Sequence, residues 1–211
     1  MGRMTPVALG FRAHSGWAAV VAIAGPPGAP DAVDRGRVDL LDRTIPGAAQ
    51  PYHAAAEMEL KQAEKLIDRC VQSARRLAAK GLRDLIANLR EKNYEPVACG
   101  ILLASGRPLG TLESVLASHA LIHTAEGELF RDALAHASQE CALPVTRVRE
   151  RDLLTELRAK VGVTEDHVKA HLAQLGRRMG PPWRQDEKTA TLAACLALHG
   201  AGKLPTQNAK A

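Results

Sequence analysis

Polar side chains that follow two apolar runs of the sequence could together bind an anion. Arg12, His14 and Ser15 come at the end of the first apolar run and in the turn after it, and Ser105 and Arg107 follow a later apolar run. Apolar runs of this kind are typical of buried strands, and ligands bind at strand ends in sheets that helices flank. Guanidinium, imidazole and hydroxyl groups can together hold a phosphate or a carboxylate. We therefore predict that these residues form a ligand-binding cluster.

Two acids in the last helical segment, Asp186 and Glu187, give this cluster a second interpretation. If that segment lies beside the first strand, Arg12 and Arg107 can pair with the acids in a structural ion network. The ion network is favoured over a ligand site, and both interpretations bring the same residues together. If the cluster is catalytic, Asp186, Glu187 and His14 are the candidates for proton transfer.

His119 and His123 are four positions apart and are followed by Glu126. Two histidines one helical turn apart can bind a metal ion, and a carboxylate can complete such a site. However, Thr124 is a suitable helix N-cap, which predicts a helix from about Thr124 to Cys141 and leaves His123 at its boundary. We therefore predict no metal site at these residues.

The composition favours a globular α/β protein in a reducing compartment. Of the 211 residues, 46% are hydrophobic and 3% are aromatic, which disfavours stacking of bases on exposed rings. The net charge of +5 permits an anionic partner without requiring one. The four cysteines are far apart and predict free thiols, and neither a signal peptide nor a membrane span is recognisable. We therefore expect a cytoplasmic protein without a membrane partner.

The order of the apolar patterns predicts one domain over residues 1–199 and a flexible C-terminal tail over 200–211. Three strands come first, and a short turn containing Gly16 joins the first two as a hairpin. Two further strands alternate with helices, and a last apolar helix spans residues 185–199. The predicted strands cover residues 7–12, 17–24, 35–41, 97–104 and 144–149.

A long helix is predicted from about His53 to Lys92, with apolar residues at spacings of three or four. Gly81 is its weak point, where a kink or a break is expected. Tyr52 and His53 are predicted to cap and pack the start of this helix. Its apolar stripe has to be covered by the sheet or by a partner, and a partner would make the chain a structural or assembly protein and a homo-oligomer.

Two short sequence stretches, one near each end of the predicted domain, resemble motifs of a known protein family. Residues 9–18 read LGFRAHSGWA and residues 185–193 read QDEKTATLA. These stretches are similar to the first hairpin and the closing helix of the ribonuclease-H-like superfamily, in its RuvC-type Holliday-junction resolvase branch. The resemblance implies an α/β fold in which three antiparallel strands, a long helix and two further strands build one mixed five-stranded sheet flanked by helices.

Most positions at which that family carries catalytic carboxylates hold other residues in this chain. By the resemblance, the first-strand aspartate falls at Arg12, the fourth-strand glutamate falls within residues 100–103, which contain no acid, and the second aspartate of the closing helix falls at Thr189. Two-metal cleavage of a phosphodiester needs several carboxylates around two Mg²⁺ ions about 4 Å apart. We therefore expect the fold without active two-metal nuclease chemistry. No cofactor is expected, and Mg²⁺ would bind only if Asp186 and Glu187 recruit it.

Three functions follow from these observations. The first is a ribonuclease-H-like protein that binds nucleic acid or another anionic ligand without cleaving it. The second is an enzyme that acts on a phosphorylated or carboxylated small molecule through an Arg/His/Asp cluster of Arg12, Arg107, His14 and Asp186. The third is the structural or assembly role of the long helix.

Overall fold

The computed structural model describes residues 4–103 and 108–202. Within these residues the strands are β1 (Thr5–His14), β2 (Trp17–Ala24), β3 (Asp31–Asp39), β4 (Tyr94–Leu103) and β5 (Val145–Arg149). They form one sheet in the order β3-β2-β1-β4-β5. The pairs β1–β2 and β2–β3 are antiparallel, whereas β1–β4 and β4–β5 are parallel. The predicted mixed five-stranded sheet is confirmed.

Helices flank the sheet and connect its later strands. They are α1 (Pro51–Ala55), α2 (Leu60–Glu91), α3 (Leu112–Leu116), α4 (His119–Glu140), α5 (Leu153–Val161), α6 (Glu165–Met179) and α7 (Gln185–Ala201). A short 3-10 helix (Glu150–Asp152) follows β5 directly. α7 continues past the predicted domain end at residue 199, and residues 203–211 of the predicted tail lie outside the described residues.

Different helices cover the two faces of the sheet, because the side chains of β1 alternate between those faces. Leu9 and Phe11 share one buried cluster with Leu82 of α2 and Leu134 of α4. Ala8 belongs to a second buried cluster, which contains most of the buried residues of α7. β1 is therefore apolar on both faces, as expected for a central strand between two layers of helices.

Two glycines in the central strands let α7 lie directly against the sheet. A Cβ atom on Gly10 would lie 1.8 Å from the carbonyl oxygen of Ala190, and a Cβ atom on Gly100 would lie 2.2 Å from that of Ala193. Neither position can hold a larger residue unless the backbone moves. This close approach sets the register at which the first turn of α7 meets the end of β1.

The long helix differs from the prediction at two points. Residues 51–55 form the separate helix α1, so His53 does not belong to α2, which begins at Leu60. A break at Gly81, one of the two expectations for this residue, is also wrong, since α2 continues through it. A Cβ atom on Gly81 would lie 2.7 Å from Val38 Cγ1. The glycine therefore allows α2 to pack closely against β3.

The sheet covers the apolar stripe of α2. Buried residues recur along this helix at spacings of three or four, and Cys70, Ala74, Ala78 and Leu82 belong to the same buried cluster as the strands. This packing accounts for the stripe without a partner chain. The observation that motivated an assembly role is thereby explained within the fold.

The helix predicted from about Thr124 begins earlier, at His119, and follows Ser118. Thr124 lies inside α4, where its Oγ1 donates a 3.0 Å hydrogen bond to the carbonyl oxygen of Ala120. The predicted N-cap is therefore wrong. As a consequence, His119 and His123 both lie within the helix, one turn apart.

The four cysteines are free, as predicted; three of them are buried and Cys141 is half-buried. Burial raises the pKa of the Cys99 and Cys195 thiols to about 12. No helix in the described part of the chain is long and apolar enough to cross a membrane.

Candidate anion-binding site

The first turn of α7 lies over the end of β1. Gly10 of β1 and Ala190 of α7 are in close contact. Arg12 lies two residues after Gly10 along β1, and Asp186 lies about one helical turn before Ala190 along α7. Both separations are about 6 to 7 Å, so the side chains of Arg12 and Asp186 come into contact. Arg12 Nη1 donates a 2.7 Å hydrogen bond to Asp186 Oδ1, and His14 Nε2 lies 3.1 Å from the same oxygen. The structure therefore contains the predicted ion pair between the first strand and the last helix.

Glu150, at the start of the 3-10 helix, is a second acid beside Arg12. Arg12 Nη2 donates a 3.2 Å hydrogen bond to Glu150 Oε2. The side chains of Arg12 and Asp186 are 24% and 25% exposed, whereas that of Glu150 is 44% exposed. Because water screens the Glu150 contact more, the Arg12–Asp186 pair is the stronger of the two.

The hairpin between β1 and β2 holds the His14 ring in place. His14 and Trp17 are paired across the two-residue turn, and their rings are stacked with centroids 4.3 Å apart. The guanidinium carbon of Arg37, in β3, lies 4.3 Å from the centroid of the Trp17 ring. Trp17 thus lies between a histidine and a cation, and it keeps the imidazole directed towards Asp186.

A cavity of about 400 Å³, which we call the Arg12 pocket, lies beside these residues. It is found at the carboxyl ends of the parallel neighbours β1 and β4, the edge at which ligands bind in open α/β sheets. Its lining residues are Arg12, Ala13, His14, Leu102, Leu103, Arg131, Glu150 and Arg151. Three arginines and one histidine in this lining make the pocket suitable for an anion.

Arg131 of α4 is the most buried cation among the described residues of this pocket. Its side chain is 17% exposed, and its closest acid among the described residues is Glu128, with Nη1 and Oε1 separated by 3.9 Å. Within the described part of the chain, its Nε and Nη1 are buried without a hydrogen bond. Burial also lowers the pKa of Arg131 below its usual value. Because Arg131 lines the pocket, its positive charge can attract a phosphate or a carboxylate, and a small movement of the side chain would expose its unused donors to that ligand.

The predicted site residues do not all lie at this pocket. Arg12 and His14 line it, whereas Ser15 is exposed in the hairpin turn. Glu187 instead accepts a 2.7 Å hydrogen bond from the backbone N–H of Arg184, so its carboxylate caps α7. The prediction also included Ser105 and Arg107, which lie outside the described residues.

Sequence reasoning missed Arg131, Arg151 and Glu150, which the fold brings to the pocket from α4 and from the 3-10 helix. The spacing of Glu128 and Arg131 by three residues resembles an ordinary ion pair on a helix surface. No pattern in the sequence shows that this part of α4 faces a pocket.

The described residues at the carboxyl ends of β1 and β4 and at the amino end of α7 do not fit a pair of Mg²⁺ ions. The Asp186 Oδ1 atom already contacts Arg12 and His14 at 2.7 and 3.1 Å, so a cationic side chain neutralises this acid. Thr189 donates its hydroxyl to the carbonyl oxygen of Gln185 at 2.9 Å. Mg²⁺ is bound through carboxylates, and Glu150, the one acid among the described lining residues, contacts the Arg12 guanidinium.

Neither a protein-family model nor a curated protein matches the sequence. Among solved structures, the chain is similar to RuvC of Thermus thermophilus, with a TM-score of 0.50 and 12% identity over 92% of this chain and 94% of that chain. It is also similar to T. thermophilus RuvC in complex with Holliday junction substrate, with a TM-score of 0.53 and the same identity and coverage. Since the likeness extends over nearly the whole chain, it includes the sheet and the helices on both of its faces. The protein therefore has the ribonuclease-H-like fold, in an arrangement similar to that of RuvC.

Proposed function

We propose that this protein binds nucleic acid through the Arg12 pocket and does not cleave it by two-metal chemistry. The observation that carries the proposal is the Arg12–Asp186 pair at 2.7 Å. By the resemblance, Arg12 stands at the position of the first-strand aspartate. An arginine there removes one metal-binding acid, and its ion pair with Asp186 neutralises another.

The charges of the pocket support binding of phosphate. Arg131 has buried donors without partners in the described part of the chain, and Arg12 and Arg151 line the same cavity. The acids Asp186 and Glu150 each contact Arg12, which leaves Arg131 as the main anion-binding group. A net charge of +5 for the chain favours approach to a polyanion.

Branched DNA is the first ligand to test, because one of the similar solved structures is RuvC in complex with Holliday junction substrate. Binding of a labelled four-way junction, a duplex and a single strand would be measured by fluorescence anisotropy at fixed low salt. A hydrogen-bonded contact to a charged group contributes about 1.5 to 3 kcal/mol, so Arg131→Ala should weaken binding about 10- to 100-fold.

Arg76→Ala is the matched control for this experiment. Arg76 has the same charge, but its side chain is 67% exposed on α2 and pairs with Asp42. We expect the affinity of Arg76→Ala for DNA to be within about twofold of that of the unmodified protein. An Arg131→Ala variant that is folded and binds as tightly as the unmodified protein would contradict the proposal, as would an equal loss in both variants.

The absence of two-metal cleavage is tested separately on the same labelled DNA. Incubation with Mg²⁺ and then with Mn²⁺ should leave all three DNA forms uncut. Nicking that depends on either ion and is lost in an Asp186→Asn variant would refute the non-catalytic half of the proposal. Binding by Arg131 would then still be tested by the first experiment.

A second candidate function is an enzyme that acts on a phosphorylated or carboxylated small molecule. The volume of the Arg12 pocket, about 400 Å³, favours it because small-molecule sites commonly measure about 300 to 1,000 Å³. In this case Arg12 and Arg131 would orient the anionic group, and His14 beside Asp186 would transfer protons. Thermal-shift assays with nucleotides and sugar phosphates would identify such a ligand, and stabilisation that Arg131→Ala removes would favour this function over DNA binding.

A further inference from the structure

A cluster of three histidines lies outside the Arg12 pocket, between α1 and α4. It consists of His53 in α1 and of His119 and His123 in α4. One ring nitrogen from each residue lies within 4.8 Å of the other two. The rings meet edge to face, with centroids 4.4 to 5.4 Å apart.

The earlier start of α4 creates half of this cluster. Because the helix begins at His119, this residue and His123 lie on one face, one turn apart. Their Nε2 atoms are 3.0 Å from each other. A zinc ion with tetrahedral Zn–N bonds of about 2.0 to 2.1 Å holds two ligand nitrogens about 3.3 Å apart, so the pair needs only a small adjustment.

A buried carboxylate orients the third histidine. Glu126 is 4% exposed, and its Oε1 atom accepts a 3.1 Å hydrogen bond from the backbone N–H of His53. The Nδ1 atom of the His53 ring lies 3.0 Å from the same oxygen. Metal-binding histidines commonly donate one ring N–H to a carboxylate, which leaves the other nitrogen for the ion. The present contact lacks hydrogen-bond geometry, so a small rotation of the His53 ring is needed for Nδ1 to donate to Glu126, and this rotation would leave Nε2 as the nitrogen that can bind a metal.

Packing holds α1 beside α4 at the cluster. Tyr52, the neighbour of His53, packs against the buried residues Val115, Ile122 and Ala125. His119 and His123 are exposed, so solvent and ions have access to them. His53 is therefore held in place by a packed helix, whereas His119 and His123 lie at an exposed surface.

We propose that His53, His119 and His123 bind a divalent zinc ion, with the fourth position open to water and Glu126 as the carboxylate that orients His53. Imidazole nitrogens suit zinc and its transition-metal neighbours, whereas Mg²⁺ and Ca²⁺ require oxygen ligands. Three histidines with a free fourth position form a metal site that can bind a further ligand. The site shares no residue with the Arg12 pocket and does not depend on the proposed DNA binding.

Zinc at this site would join two segments that are far apart in the sequence. Residues 53 and 119 come from helices separated by α2 and β4. An ion that binds only the folded arrangement raises the thermal stability of the protein. Zinc should therefore increase the melting temperature of the metal-free chain.

The test is isothermal titration of the full-length, chelator-treated protein with Zn²⁺, combined with its melting temperature. The unmodified protein should bind about one ion per chain, and His119→Ala and His123→Ala should each abolish tight binding and the thermal shift. His136→Ala is the matched control, because His136 is also exposed on α4 and lies beside Glu140 instead of the cluster. It should retain one ion per chain.

Glu126→Gln tests how His53 is oriented. Loss of such a carboxylate typically weakens metal binding about 10- to 100-fold. The Co²⁺-loaded protein provides a second measurement, since its visible spectrum should show tetrahedral nitrogen ligation that His123→Ala removes. Stoichiometric binding that survives both His119→Ala and His123→Ala, or an equal loss in His136→Ala, would overturn the proposal. So would the failure of Zn²⁺ to bind or to stabilise the unmodified protein.

Discussion

Replacing Arg12 with alanine should destabilise the fold, because the Arg12–Asp186 pair joins β1 to α7. The substitution removes the 2.7 Å hydrogen bond to Asp186 and the 3.2 Å hydrogen bond to Glu150. Of its contacts with charged side chains in the described part of the chain, Asp186 then keeps the one with His14 at 3.1 Å. A partly buried carboxylate is left with fewer donors, and this loss costs more than the removal of an exposed ion pair.

The expected loss in the free energy of unfolding can be worked from the exposure of each partner. Asp186 is 25% exposed, so its charge-assisted hydrogen bond with Arg12 is expected to contribute about 1.5 to 3 kcal/mol. Glu150 is 44% exposed, and its contact adds at most about 1 kcal/mol. Together they predict a loss of about 1.5 to 4 kcal/mol. For a domain of this size that corresponds to a fall in melting temperature of about 3 to 16 °C.

Urea unfolding followed by circular dichroism would measure this loss in Arg12→Ala, in Asp186→Ala and in the double variant. Since the two side chains contact each other, the effects of the single substitutions should not add, and the double-mutant cycle should give a coupling of at least about 1 kcal/mol. Lys80→Ala is a control, because its ion pair with Asp84 is exposed and lies outside the cluster. Additive effects, or a loss below about 0.5 kcal/mol in Arg12→Ala, would refute the structural role of the pair.

Further predictions concern packing, thiol reactivity and acid stability. Gly10→Ala places a methyl group 1.8 Å from a carbonyl oxygen of α7, so it should cost more than about 3 kcal/mol in a urea unfolding experiment. Gly36→Ala, whose Cβ atom would lie 3.9 Å from Val20 Cγ1, should be close to neutral. In the native protein, a thiol reagent should modify Cys141 first, and equal reaction of all four cysteines without denaturant would contradict the observed burial. Hydrogen bonds from Thr44 lower the pKa of Asp42 from 3.8 to about 2, so its contribution to stability is present above pH 4 and is lost as the pH falls towards 2. Asp42→Asn should therefore flatten the fall in melting temperature over that pH range, and an unchanged profile would contradict the assigned hydrogen bonds.

The order of the elements could be predicted from the sequence because each element has a strong local signal. The runs of β1, β2 and β4 are apolar on both faces, and α2 repeats its apolar residues at helical spacing. The start of α4 could not be predicted, since both Ser118 and Thr124 are residue types that cap helices. Thr124 instead uses its hydroxyl for a carbonyl inside the helix.

The candidate site was predicted in part. The resemblance of the two chain ends placed Arg12 near Asp186, and the structure has this contact at 2.7 Å. Arg131 and the place of His53 beside His119 and His123 could not be predicted, because both depend on which helix faces meet after folding. His53 and Glu126 are 73 residues apart, and only the packing of α1 on α4 brings them together.

The salt dependence of DNA binding tests most directly whether phosphate binds in the Arg12 pocket. The affinity of the unmodified protein and of Arg131→Ala for the same four-way junction would be measured over a series of salt concentrations. Each lost phosphate contact should reduce the slope of log affinity against log salt by about 0.9. We predict this reduction for Arg131→Ala and no change for Arg76→Ala. Equal slopes for the unmodified protein and Arg131→Ala would contradict the assignment of Arg131 as a phosphate-binding residue.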